Sequence, residues 1–242
     1  MTSRLVLCLG DLFIPDRAND IPAKFKKLLT PGKIGQILCL GNLTSPSVYT
    51  FLRNLAPDLQ LVKGDFDISL STPAPPNPNA AYAAPTDQVP VPTALSKVVT
   101  HGGLRIGFTH GHTIVPPGDP DSLLIAARQM DVDVLCWGGT CKFEAYEMEG
   151  KFFVNPGSAT GAVSWSTDAE LDSEGEAVST PSFVLMDVSR HASWANLVDL
   201  SDHPEQVQGD VLVLYVYQLR KDQNGVENVA VEKVSYRKNA SS

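Results

Sequence analysis

Apolar residues in the first third of the chain fall into short runs, each closed by a glycine and then a carboxylate or an amide. Leu5 to Leu9 ends at Gly10-Asp11, Ile37 to Leu40 at Gly41-Asn42, and Leu59 to Lys63 at Gly64-Asp65. Short apolar runs without strict alternation mark strands covered on both faces, as in a parallel sheet flanked by helices. Helical spacing separates them. Pro22 suits a first turn over Pro22 to Leu29, with Asp20 a candidate cap and Phe25, Leu28 and Leu29 at i, i+3 and i+4, and Ser45-Pro46 opens a second helix through Leu55. Three strands that each deliver Gly plus Asp or Asn at the carboxyl end predict an α/β sheet with its site along one edge.

Prolines then break the pattern. Between residues 69 and 96, Pro73, Pro75, Pro76, Pro78, Pro85, Pro90 and Pro92 stand among Ala, Asn, Thr and Ser, which predicts a flexible surface insertion that cannot bury a core of its own. It reads either as a polyproline ligand or as a tolerated loop expansion. Beyond it, Leu104 to Thr109 is an apolar strand ending at His110, Asp119-Pro120 caps a helix with Leu123, Leu124, Ala127 and Met130 on one face, and Val132 to Trp137 is another buried strand. From Phe143 the period becomes that of hairpins, with Glu144 to Met148 and Lys151 to Val154 around Glu149-Gly150. Asn155-Pro156-Gly157-Ser158 forces a further turn; 164–180 and 202–210 read as loose loops, and Phe183 to Val188, Ala192 to Leu197, Val211 to Leu219 and Val226 to Tyr236 as the last strands. The sum is a four-layer α/β/β/α sandwich, one domain over residues 1–242, parallel early and antiparallel late.

With 242 residues, 43% of them hydrophobic, the core needs no disulfide. Cys8, Cys39, Cys136 and Cys141 follow no zinc-type spacing and mostly interrupt apolar runs, as packing residues in a reducing compartment do. The run Leu5 to Leu9 is too short for a secretory leader, and no run nears the ~18 apolar residues of a membrane span, so the expectation is a cytoplasmic protein. A net charge of −8 repels nucleic acid and anionic lipid, which leaves only indirect membrane association.

The glycine-framed loops carry the candidate chemistry. Asp11-Leu12-Phe13, Gly41-Asn42, Gly64-Asp65-Phe66-Asp67, His110-Gly111-His112 and Gly138-Gly139-Thr140-Cys141 resemble, in order, the D-x-H, G-D, G-N-H/D, G-H and G-H-x-H series of two-metal phosphoesterases. Such a centre needs carboxylate and imidazole ligands around two ions and one bridging carboxylate. Here Phe13 stands for the first histidine, Asn42 for the bridging aspartate, Phe66 for a proton-donating histidine, and Gly139 and Cys141 for the last two imidazoles. Asp11, Asn42, Asp65 and His110 remain as a vestigial metal set, holding one divalent ion weakly, unless Asp11, Asn42 and Asp65 simply accept turn hydrogen bonds from nearby backbone amides. Two rivals to a silent site stay open: a metal-dependent phosphoesterase with a degenerate site, and a zinc-regulated module using Cys141 and His110.

A more particular resemblance comes from longer stretches. Leu5 to Pro15, Pro22-Ala23-Lys24-Phe25-Lys26-Lys27-Leu28-Leu29, Gly64-Asp65-Phe66-Asp67, Lys142-Phe143-Glu144-Ala145, Asn155 to Ala162 and Pro181 to Asp187 resemble the metallophosphoesterase-fold small subunit of retromer, the endosomal coat complex of the vacuolar protein sorting family. The resemblance covers the chain outside 69–96, 164–180 and 200–210. It implies a non-catalytic scaffold requiring no cofactor, cytoplasmic and peripheral on endosome membranes, that serves retrograde cargo transport to the Golgi and plasma membrane. One implied partner is the carboxyl-terminal α-solenoid of the large retromer subunit, through Ile114, Val115 and Pro116; an apolar loop beside a polar cleft either meets a partner or folds onto its own core. The other partners are regulatory proteins with Pro-Leu loops, on a hydrophobic patch of Leu5, Leu28, Leu29, Leu185, Tyr215, Tyr217, Val229 and Val231. Independently, Val213, Tyr215 and Tyr217 share one strand face and Leu212, Leu214 and Val216 the other, so both sides are apolar. A helix-on-sheet core would explain these positions equally well. With Phe25 turned inward, adjacent Leu28 and Leu29 cannot both follow it.

Overall fold

The computed structural model describes residues 4–67, 91–164, 170–171, 177–189, 210–222 and 225–238. Strands β1 (Arg4–Leu9), β2 (Ile34–Cys39), β3 (Asp58–Leu61), β11 (Ser182–Ser189), β12 (Val211–Lys221) and β13 (Glu227–Arg237) form a six-stranded sheet in the order β13-β12-β11-β1-β2-β3. A five-stranded sheet runs β4-β5-β6-β8-β7, from β4 (Ser96–His101), β5 (Leu104–Thr109), β6 (Val134–Cys136), β7 (Phe143–Met148) and β8 (Lys151–Pro156). Helices α1 (Ala23–Leu28), α2 (Pro46–Leu55) and α3 (Pro120–Gln129) supply the outer layers. The parallel pairs are β1-β2, β2-β3, β5-β6 and β6-β8, and the late strands are antiparallel.

Strand period divides the core into layers. On β1, Val6 and Cys8 face Ile106, Phe108, Val134 and Cys136 of the other sheet, whereas Leu7 and Leu9 join Phe25, Leu52 and Phe183 under α1 and α2. Helix α3 lays Leu123, Leu124 and Ala127 on Leu135, Trp137 and Phe153. This is the α/β/β/α order that the alternation predicts. All four cysteines are buried and free, and burial pushes the Cys39 thiol up to about 12.

Several expectations shift. Strand β4 was missed, because adjacent Val98 and Val99 hide its alternation; Lys97, Val99 and His101 turn partly inward. Ser96 opens that strand and Lys63 N donates to Ala94 O at 2.8 Å, so the end of the proline-rich stretch lies along the body of the fold. Residues 69–90, 192–197 and 200–209, which held the rest of the insertion, an expected strand and most of a loop, lie outside the described residues. Within 164–180, a short ladder pairs β9 (Glu170–Leu171) with β10 (Ala177–Val178). Asp20 does not cap α1: its Oδ1 accepts from Ile21 N at 2.8 Å, outside the helix. Asp119 does cap α3, accepting from Ser122 N at 2.8 Å. The β7-β8 turn at Glu149 (φ 50°) and Gly150 (φ 70°) has both central residues left-handed, the backbone that suits a two-residue hairpin.

Candidate functional site

Each strand of the parallel set hands its following loop to one cleft. Asp11 follows β1, Asn42 follows β2, Asp65 and Asp67 follow β3, His110 follows β5, and Gly139 and Cys141 follow β6. Asp11, Phe13, Asn42 and Cys141 are all left-handed, with φ of 49°, 46°, 55° and 59°. Such backbone costs a non-glycine residue about 1 kcal/mol or more and clusters at binding loops. Gly64 must lack a side chain, since a Cβ there would sit 2.2 Å from Asn42 Oδ1.

The structure brings Asp11, Asn42, Asp65 and His110 together as predicted. Asp11 is fully buried; its Oδ2 accepts from Gly139 N at 2.8 Å and Cys141 N at 3.2 Å. Its Oδ1 receives no hydrogen bond and faces His110 Nε2 at 3.3 Å. Asp65 Oδ1 lies 3.4 Å from the same nitrogen, with its side chain 44% exposed. Asn42 Oδ1 accepts from Phe66 N at 2.9 Å, so its amide nitrogen is the atom turned into the cleft, 3.0 Å from Asp65 Oδ1 and 2.8 Å from His110 Nε2. Burial works against a proton on His110, but the Asp11, Asp65 and Asp67 carboxylates outweigh it and raise its pKa above the ordinary histidine value. Burial, and then the His110 charge, lower His112, whose Nδ1 is 3.1 Å from His110 Nδ1.

A two-ion centre does not fit this cleft. Where a second ion would need imidazoles, Phe13, Cys141 and Ala162 pack as a buried apolar cluster, and the Arg17 guanidinium lies 3.8 Å over the Phe13 ring and 5.1 Å from that of Phe66. Burial, reinforced by Asp11, pushes the Cys141 thiol up, and its side chain packs within that apolar cluster. Among the described residues no three His, Cys, Asp or Glu side chains form a ligand set. The nearest approach is Asp11, Asp65 and His110, with the Asn42 amide in the space between them.

Two residues that sequence reasoning left without a role hold the cleft together. Asp67, buried, accepts from Asn42 N at 3.0 Å and Gly64 N at 2.7 Å, and so locks the β2 loop to the β3 loop. Ser158 Oγ donates to the Asp11 carbonyl at 2.8 Å. Asp67 was visible as a carboxylate three residues after a buried glycine; no local signal marked Ser158.

The two proposed contact surfaces divide differently from expectation. Ile114 tucks partly under α3, while Val115 is 75% exposed and Pro116 is exposed. In the sheet patch, Leu5, Leu185, Tyr215, Tyr217 and Val229 are half-buried, and Leu28 and Val231 are exposed at 47% and 52%. Leu29 is the exception. It is 2% exposed and packs in the core with Phe25, one helical turn before it, so it does not line a surface pocket.

Two packed sheets with convergent strand-end loops define the class: residues 5–189 match the calcineurin-like phosphoesterase superfamily domain. Vacuolar protein sorting-associated protein 29 (Vps29) of Schizosaccharomyces pombe is 45% identical over 234 residues, 97% of this chain and 98% of that protein. The crystal structure of Vps29 from Chaetomium thermophilum is 49% identical with a TM-score of 0.71, covering 97% of this chain and 98% of that one. The same protein has been crystallised with a cyclic peptide (46% identity, TM-score 0.70, 98% and 99% covered). Entamoeba histolytica Vps29, complexed with zinc, is 34% identical with a TM-score of 0.66 over 96% and 98% of the two chains. The chain belongs to the Vps29 family of vacuolar protein sorting proteins, in agreement with the resemblance to the retromer small subunit drawn from its sequence.

Proposed function

We propose that the protein is a non-catalytic scaffold subunit of the retromer coat. Its cleft rim, at Ile114, Val115 and Pro116, receives the carboxyl-terminal α-solenoid of the large retromer subunit. The sheet patch recruits regulatory proteins with Pro-Leu loops, and the assembly serves retrograde transport from endosomes to the Golgi and plasma membrane. The subunit acts in the cytoplasm and meets endosome membranes only through the complex; no helix among the described residues is long and apolar enough to cross a membrane.

The observation that carries this reading is the contrast between a closed cleft and open surroundings. Phe13, Cys141 and Ala162 fill the place of a second ion, whereas among the described residues Val115 (75% exposed) and, on the sheet patch, Leu28 (47%) and Val231 (52%) stay open to solvent. With Pro116 and Pro117 exposed beside it, Val115 makes a contiguous apolar loop surface, which suits an interface better than an isolated domain. The role requires no cofactor. At most one divalent cation would bind at Asp11, Asp65 and His110, weakly, because it must displace the Asn42 amide; that a divalent ion can bind in the family agrees with the zinc complex of the Entamoeba relative. Hydrolysis of generic phosphomonoesters and diesters with added manganese should therefore stay at background. Turnover that disappears in Asp65→Ala would overturn the reading in favour of a one-metal phosphoesterase.

A further inference from the structure

The apolar patch on the outer sheet face is ringed by ammonium groups, in a chain whose net charge is −8. Strand register fixes where they stand, since residues directly opposite on antiparallel strands share a face. Lys233 lies opposite Tyr215, and Lys221 lies opposite Glu227 beyond Tyr217 and Val231. Helix α1 closes another side. Lys24 Nζ donates to the Glu227 carbonyl, which ties the helix to the start of β13, and Lys27 is exposed next to exposed Leu28. Against these four cations the same face carries the carboxylates of Glu227 and of Asp187, opposite Leu5 and Val213. Among the described residues this face therefore carries more cations than carboxylates, in a molecule that is anionic.

From this we infer that the patch selects its ligand by charge: it takes an apolar turn flanked by acidic residues and disfavours the same turn flanked by basic ones. The inference rests on the reading of this patch as a Pro-Leu site and adds the chemistry of the flanks. Leu28, Leu185, Tyr215 and Tyr217 give the turn an apolar seat, which is indifferent to charge. The ammonium rim sets encounter rate and orientation, and it rejects basic flanks by like-charge repulsion. The unselective net charge of the chain would favour the opposite preference, so the sign of the effect is diagnostic.

The test uses three synthetic cyclic peptides with one Pro-Leu tip, flanked by glutamates, serines or lysines, titrated against the full chain. At low salt the glutamate peptide should bind tightest and the lysine peptide weakest. Reversing two rim charges with Lys27→Glu and Lys233→Glu should weaken the glutamate peptide roughly tenfold, about one surface ion pair per charge, and strengthen the lysine peptide. At about 1 M salt, where screening acts within ~3 Å, the order should collapse. Melting temperatures check that both variants fold. Equal affinity for all three peptides, with all binding abolished by Leu185→Asp, would overturn charge selection and leave the Pro-Leu reading standing. Failure of every peptide to bind, or binding unaffected by Leu185→Asp, would overturn both.

Discussion

Leu28 and Leu29 are neighbours with opposite fates. Six residues of α1 give room for one inward anchor and its partner a turn later, so Phe25 and Leu29 go in together while Leu28 stays 47% exposed. Leu29→Ala should cost about 2 to 5 kcal/mol of stability through the cavity it leaves. Leu28→Asp should leave the melting temperature unchanged and weaken a Pro-Leu ligand by roughly thirtyfold, the price of losing an anchor. Parallel melts and titrations of the two variants separate them, and a destabilised Leu28→Asp would move that residue from surface to core. The same scale explains the cleft. Asp11, Asn42, Asp65 and His110 were legible because glycine-framed strand ends converge by topology; Phe13, Cys141 and Ala162 come from three separate loops, and no local pattern announces that they fill one space. Nor does the sequence say that Asn42 turns its nitrogen inward, because the Phe66 amide makes that choice.

Elements were legible in proportion to the length of their pattern. The buried strands and the three helices follow from apolar runs and helical spacing, and the β7-β8 hairpin from its turn residues. Strand β4 failed because it lies at an edge, where one side is wet and the alternation is weak. The β9-β10 ladder is two residues per strand, too short to have a period. Capping is the finer signal, and it divides α1 from α3: Asp20 lies too far from the first turn to serve, while Asp119 bonds Ser122 N directly. That bond holds the Asp119 carboxyl below the usual carboxylate range. A depressed native pKa stabilises the fold above the unfolded pKa, and the benefit is lost as pH falls through the folded value. Asp119→Ala should therefore melt lower than the wild type at neutral pH, and the gap should close in acid. A gap that persists at low pH would mean the aspartate acts by packing rather than by its charge.

At the scale of the whole molecule the cleft and the sheet face are separate constructions. The cleft belongs to the carboxyl ends of the parallel strands, and the sheet patch to the outer faces of β11, β12 and β13 and the edge of α1. Val115→Asp should accordingly release the solenoid by leaving a carboxylate unpaired in the interface, with the melting temperature and the affinity for a Pro-Leu peptide unchanged. Equal recovery of the solenoid by variant and wild type would remove Val115 from that contact, and joint loss of both partners would point to a folding defect. On the proposed reading the two surfaces take different partners, as a scaffold requires.

Strand order also sets a schedule. Strand β1 precedes its antiparallel neighbour β11 by some 170 positions, and Tyr215, Tyr217, Val229 and Val231 come later still. Every cleft residue is translated before the face of β12 and β13 exists. A nascent chain therefore holds one flank of β1 without its β11 partner until those later residues are made, and the patch comes into being only with β12 and β13. A chain stopped between β11 and β12 would keep the cleft residues and lack the β12 and β13 part of the patch, so on the proposed reading loss of regulator capture would report such incomplete chains.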